Sequence, residues 1–340
     1  MTKRKKTIRL PDALKKNEGQ TNNGRELPTK GVFVFLLLPN YSLLALSSAV
    51  EVLRAANRLS RSEIYSWQLV SADGGSYPSS GGLALSTETL DRPITDITHL
   101  VICGGDGSDS LRDTKTLSFV REHARRAKLS GAISDGSYLA ARTGIFDGYK
   151  STIHWQCYDG YVEQNPDLEI TRQIYEIDRD RFSCAGGNAA FDLFLQLVER
   201  DYGRHLSLEI AENFVHSDIR PQVSPQRLNP SFKFAASSPR LSGIIEHMEQ
   251  NLETPLSLPE LAKLVDITAR QMDRIFQQYV GESPSKFYID LRVRRAAHLL
   301  RQTNLAISEI AVACGFASSS HLAKHFQRIW RMSPREYRIL

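Results

Sequence analysis

A chain of 340 residues with 41% hydrophobic and 24% charged residues is long enough for two domains, each with its own core. No apolar run approaches membrane-spanning length, and the basic start (Lys3, Arg4, Lys5, Lys6) is not followed by the hydrophobic region of a secretory signal. The net charge of +5 is modest but lopsided: from Leu291 onward nine Lys/Arg stand against two carboxylates, Glu309 and Glu336, a balance suited to phosphate contact.

Residues 1–29 are polar and aperiodic, which predicts a disordered arm. Residues 31–38 (GVFVFLLL) form a continuous apolar run ending at Pro39, the pattern of a central strand buried on both faces. A helix is expected over 48–59, a second strand over 67–71 and a third over 99–103. The glycines at Gly104, Gly105 and Gly107 lack a Walker lysine or dinucleotide fingerprint and are read as tight turns. A helix over 117–128 precedes a strand over 131–134 that turns sharply into a helix over 137–142. The strand 182–185 runs through Gly186-Gly187-Asn188 into a helix over 189–199. Strands alternating with helices, with glycine at strand carboxyl ends, predict a doubly wound parallel sheet that binds ligands outside those ends. A further helix is expected over 202–214, then a linker over 218–239 punctuated by Pro221, Pro225, Pro230 and Pro239. Cys103, Cys157, Cys184 and Cys314 show no metal or disulfide spacing, so reduced thiols in a cytoplasmic protein are expected, with no metal and no cofactor.

The last hundred residues carry one plan twice. Leu258, Leu261, Ala262 and Val265 mark a short helix; Asp266 and Ile267 turn; Thr268 caps a second helix with Ile275 and Phe276 inward and Arg270, Gln271 and Arg274 outward. About fifty residues on, Ile307, Ile310, Ala311 and Cys314 mark the equivalent helix and Gly315 ends it. Ser318 then caps a helix with Leu322, Phe326 and Ile329 inward and Ser319, Ser320, His321, Lys324 and Arg328 outward. Two helix-turn-helix units with donor-rich outer faces predict DNA contact through Thr268, Arg270, Gln271, Arg274, Ser318, Ser319, Ser320, His321, Lys324 and Arg328, reading adjacent major-groove segments roughly 34 Å apart.

The LPELA and ISEIA helices, the run from Gly315 to His321 and the corners Ser283-Pro284 and Ser333-Pro334 resemble the AraC/XylS-type DNA-binding domain over residues 240–340. Arg331 departs from that pattern, which usually has glycine there. The strand-turn-helix AISDGSYLAA resembles the nucleophile elbow of the class I glutamine amidotransferase-like superfamily, PfpI branch, which implies a flavodoxin-like sensor over 30–217. In that superfamily the elbow holds a cysteine, partnered by a histidine and an acid; the corresponding residues here are Ser134, His154 and Glu51. With the cysteine replaced, the resemblance implies a retired active site without catalytic residues, the alternative being an amidotransferase-like hydrolase fused to a DNA-binding module.

Together the two halves resemble the GlxA-like branch of AraC regulators, and within it regulators of carnitine, glycine-betaine and arginine catabolism. That resemblance implies a ligand-responsive regulator, an activator by expectation, working in the cytoplasm at the nucleoid. Its implied partners are double-stranded DNA, a small nitrogenous effector, a second copy of the chain and RNA polymerase, with no membrane. A quaternary ammonium cannot donate an N–H bond and asks for aromatic faces and a carboxylate. The ligand-site expectation is accordingly Tyr41, Tyr138 and Trp155 with Glu51 or Asp135, beside Ser134 and His154.

Overall fold

The computed structural model describes residues 31–226, 234 and 238–339; the expected arm at 1–29 and part of the expected linker lie outside them. Its larger sheet has eight strands in the order β3-β4-β2-β1-β5-β6-β10-β9. These are β1 (Gly31–Leu37), β2 (Tyr65–Ser71), β3 (Gly75–Pro78), β4 (Ala84–Thr89), β5 (His99–Cys103), β6 (Leu129–Ile133), β9 (Tyr175–Asp178) and β10 (Arg181–Cys184). The strands β4, β2, β1, β5, β6 and β10 run parallel, and only β3 and β9 pair antiparallel at the margins. A separate parallel pair joins β7 (Lys150–Thr152) to β8 (Glu169–Thr171).

The apolar run of β1 is continuous because both of its faces are covered. Phe33, Phe35 and Leu37 pack with residues of α1 (Leu43–Ser60), α5 (Ala189–Tyr202) and α6 (Arg204–Asn213). Val34 and Leu36, pointing the other way, pack with residues of α2 (Thr114–Arg126) and α3 (Gly136–Arg142). Helix α1 begins five residues earlier than expected, because Ser42 caps it by accepting from the Ala45 amide (3.4 Å). The strands β3, β4, β7, β8 and β9 had no sequence expectation; they are short and only partly buried, so they lack a strong apolar signature.

The second unit is helical: α7 (Pro239–Gln250), α8 (Leu258–Leu264), α9 (Ala269–Tyr279), α10 (Pro284–Gln302), α11 (Ile307–Ala313), α12 (Ser319–Trp330) and α13 (Pro334–Ile339). It has two cores. One gathers Leu241, Ile244, Met248, Leu261, Met272 and Phe276, and the other Val293, Leu300, Ile310, Cys314, Leu322 and Phe326, with α10 contributing to both. A short helix, α4 (Tyr158–Gln164), faces α10 from the first unit. Among the described residues no helix is long and apolar enough to cross a membrane. The four cysteines are free thiols; burial pushes Cys184 and Cys314 up to about 12, which keeps them protonated.

The stretch expected as linker is not loose where it is described. Arg220 donates to Asp192 through Nε (2.9 Å) and a terminal guanidinium nitrogen (2.6 Å), and His216 meets the same fully buried carboxylate at 3.0 Å. Gln226 then donates to Ile153 O (2.9 Å) and Gln173 O (2.8 Å). Residues 216–226 are therefore a strap along the α/β unit.

Candidate effector pocket and nucleic-acid interface

The loops after β1, β5, β6 and β10 converge at the carboxyl ends of the parallel strands, where doubly wound sheets bind ligands. Ser42 N–H donates to Gly104 O (3.1 Å), and Ser134 N–H donates to Cys184 O (3.1 Å). Ser134 is held at φ 55°, the strained left-handed turn of an elbow. Glycines make room for it: a Cβ on Gly104 would lie 2.0 Å from the Gly136 nitrogen, and one on Gly186 would lie 2.7 Å from Ser134 Cβ.

Beside Ser134, Asp135 is half-buried and its pKa is raised to about 6, first by burial and further by Asp106 and Asp109, against a lowering hydrogen bond from Cys157. The Cys157 thiol donates to Asp135 Oδ1 (3.4 Å), and the Tyr138 hydroxyl donates to Cys157 O (3.2 Å). Tyr41 is fully buried, and its hydroxyl has no partner among the described residues. Its backbone bridges Gly105 and Ser79, which fixes the loop after β1 against the loop after β5.

Three expected ligand residues stand elsewhere or in other company. Glu51 accepts from Arg54 Nε (2.8 Å) and a terminal nitrogen (2.6 Å) on the surface of α1. The elbow is approached by the start of that helix, where Leu44 Cδ2 lies 3.8 Å from a Cβ built on Gly187; Glu51 is seven residues, roughly 10 Å, further along. His154 shares no hydrogen bond with Ser134 among the described residues; its Nδ1 accepts from the Gln156 amide (3.4 Å), and burial followed by the His298 charge holds its pKa below the usual histidine value. Trp155 stacks on His298 of α10, with ring centroids 5.8 Å apart, so the indole reaches the helical unit. Sequence reasoning passed over Asp106, Asp109 and Cys157. The two aspartates follow Gly104-Gly105 at the end of a strand, which was the available signal.

The helical unit repeats its local chemistry. The Ser257 and Ala306 amides donate to Glu260 (2.8 Å) and Glu309 (2.6 Å), so each first helix is held at its N-terminus by a carboxylate three residues on. Each turn has a left-handed residue, Asp266 at φ 52° and Gly315 at φ 68°. Thr268 and Ser318 cap the second helices by accepting from Gln271 N (3.2 Å) and His321 N (3.1 Å). Arg270, Gln271 and Arg274 on α9 are exposed, as are Ser319, Ser320, His321, Lys324 and Arg328 on α12. Three of these are already engaged. Gln271 Oε1 accepts from the Thr268 amide (2.8 Å) to complete a capping box, and Arg328 donates to Asp290 of α10 (2.8 Å). His321 and His325 face each other through Nε2 atoms 3.2 Å apart.

Known proteins agree with this architecture. The family model for the DJ-1/PfpI family matches residues 34–200, and one for a helix-turn-helix domain matches residues 261–339. The HTH-type transcriptional regulator GbdR of Pseudomonas aeruginosa is 39% identical over 306 residues, covering 89% of this chain and 83% of that protein. The HTH-type transcriptional regulator GlxA of Rhizobium meliloti is 30% identical over 301 residues, covering 88% and 93%. A crystal structure of a ThiJ/PfpI family protein from Pseudomonas syringae aligns with a TM-score of 0.50 at 21% identity, over 67% of this chain and 97% of that one, a likeness of fold. With a DJ-1/PfpI unit ahead of paired helix-turn-helix motifs, and relatives of this identity over most of its length, the chain belongs to the GlxA-like AraC family of DNA-binding transcriptional regulators.

Proposed function

We propose that this regulator senses a small cationic nitrogen metabolite, a quaternary amine or an amino acid, at the elbow, and that the bound form activates transcription from a homodimer in contact with RNA polymerase. The observation that carries the reading is the placement of Asp135 at the elbow, half-buried, bound by the Cys157 thiol (3.4 Å) and in the field of Asp106 and Asp109; burial first and those carboxylates further raise its pKa, and a cation would offset their repulsion. The unpartnered Tyr41 hydroxyl and the Tyr138 ring support a ligand with both polar and apolar parts. No catalytic role is assigned to Ser134, because the histidine that would have to activate it makes no bond to it.

On the DNA side we assign base and phosphate contacts to Arg270, Arg274, Ser319, Ser320, His321 and Lys324. Thr268, Gln271, Ser318 and Arg328 shape and hold the reading helices. Calorimetry of the purified protein with a panel of betaines and amino acids tests the sensor reading. A cationic ligand should bind several-fold more tightly at pH 8 than at pH 5, because the ionised form of Asp135 is the one it prefers, and Asp135→Asn should flatten that dependence. Binding that is indifferent to both pH and Asp135→Asn would remove the carboxylate from the site.

A further inference from the structure

The contact between α4 and α10 is built like an interface. Asp159 in the first turn of α4 accepts from both terminal nitrogens of Arg295, one at 2.8 Å, and lies 3.3 Å from His298 Nε2. Its side chain is only 12% exposed, against 31% for Arg295 and 18% for His298. Burial would raise the Asp159 pKa, but the bonds from His298 and Arg295 outweigh it and hold the carboxyl well below its usual range. One position on, Gly160 lies within a helix and is buried, although alanine would suit a helix better. The reason is α10: a Cβ on Gly160 would come 2.1 Å from Gln302 O. Trp155, stacked on His298, and Gln226, bound to the Ile153 carbonyl, bring the adjoining loop and the end of the strap to the same place.

We infer that α4 is a docking face for α10 and that this clasp couples the elbow pocket to the DNA-reading helices. The inference rests on the sensor reading above. On the pocket side, Cys157 immediately precedes α4 and is bound to both Asp135 and Tyr138, so a ligand that moves either residue acts on the start of α4. On the other side, α10 holds both halves of the helical unit. Its Tyr288 donates to Asn251 O (2.6 Å), its Asp290 holds Arg328 of α12, and its Arg292 donates to Cys314 O (2.8 Å) at the second helix-turn-helix corner. A ligand that favours the clasped or the released arrangement thereby shifts the orientation of both reading helices.

Hydrogen–deuterium exchange on the full-length chain tests the clasp without any DNA or effector. Arg295→Gln should speed exchange of residues 158–164 at least fivefold, although that helix lies 136 positions away in sequence, while the β1 and β5 amides stay unchanged. Gly160→Ala, which favours helix α4 itself and blocks chiefly the approach of α10, the new Cβ standing 2.1 Å from Gln302 O but 3.4 Å from the Tyr138 hydroxyl, should do the same to residues 295–302. Tyr138→Phe, which removes only the bond to Cys157 O, should also loosen 295–302 and so links pocket to clasp. Unchanged exchange of 158–164 in Arg295→Gln overturns the docking face, and unchanged exchange of 295–302 in Tyr138→Phe overturns its coupling to the pocket. Calorimetry with the betaine and amino-acid panel on the wild-type protein separates the two readings: absence of any binding there defeats the sensor assignment, whereas the exchange pattern alone decides the clasp.

Discussion

Asp135, proposed above to meet the effector, also ties stability to pH. Its folded pKa of about 6 lies above the ordinary carboxyl value of 3.8, so the folded state holds a proton that the unfolded chain releases. The stabilising contribution is complete below pH 4 and is lost as pH rises through 6. Asp135→Asn should therefore raise the melting temperature at pH 8, the gain in stability being about 2–3 kcal/mol at most and less as solvent screens the half-buried carboxyl, and leave it nearly unchanged at pH 4. An equal gain at both pH values would show that ionisation is not the cause. Arg331 carries strain of another kind. It ends α12 at φ 59°, its amide donating to Gln327 O (3.0 Å), in a conformation that glycine adopts freely. Arg331→Gly should stabilise the helical unit by about 0.5–1 kcal/mol, read as a higher denaturant midpoint at unchanged slope. The departure at Arg331 was legible in the sequence. The placement of Glu51 was not, because it is the one carboxylate of α1 and so fits the family phrase by default, and only the helix's own geometry shows which turn meets the elbow.

At the scale of elements, legibility followed the strength of the local code. The strand His99–Cys103 reads directly because all five of its residues are buried, and the short helices α8 and α11 read through their apolar spacing and their repetition. The marginal strands and the strap have no such code; they are held by side chains such as Asp192 and Glu176, which reach partners 24 and 46 residues away in His216 and Gln222. The second helix-turn-helix depends on a similar distant tie. Arg292 covers the carbonyls of Cys314 and Gly315, and its guanidinium lies 4.2 Å over the Phe316 ring. Arg292→Ala would leave those carbonyls, at the end of α11, without the donor that now holds them. It should cost about 2–3 kcal/mol in the stability of the helical unit. The loss of DNA affinity should fall on the bases read by α12 and spare those read by α9. Uniform loss over the whole site would instead place Arg292 on the phosphate backbone.

For the whole molecule, the order of the two units and their separate cores were legible because each has its own periodicity, first of strands and then of short helices. Their docking was not, because Asp159 and Arg295 carry no mark that pairs them across 136 residues. This arrangement sets the last expectation. Among the described residues the buried side chains of the two helical cores run from Leu241 to Tyr337, so a fragment beginning near residue 236 keeps all of them and loses only the partly buried Phe234. The exposed Arg270, Arg274 and Lys324 are all retained, and each phosphate neutralised contributes about −0.9 to the slope of log affinity against log salt. The fragment 236–340 should therefore bind the operator without effector and with the salt slope of one helical unit. If the full chain binds as the proposed homodimer, the fragment's affinity should be lower, because two linked copies bind with a high effective concentration that separate ones lack. A fragment that is folded by circular dichroism yet shows no preference for the operator over random DNA at moderate salt would mean that the α/β unit forms part of the reading surface. The clasp between α4 and α10 would then serve to build that surface.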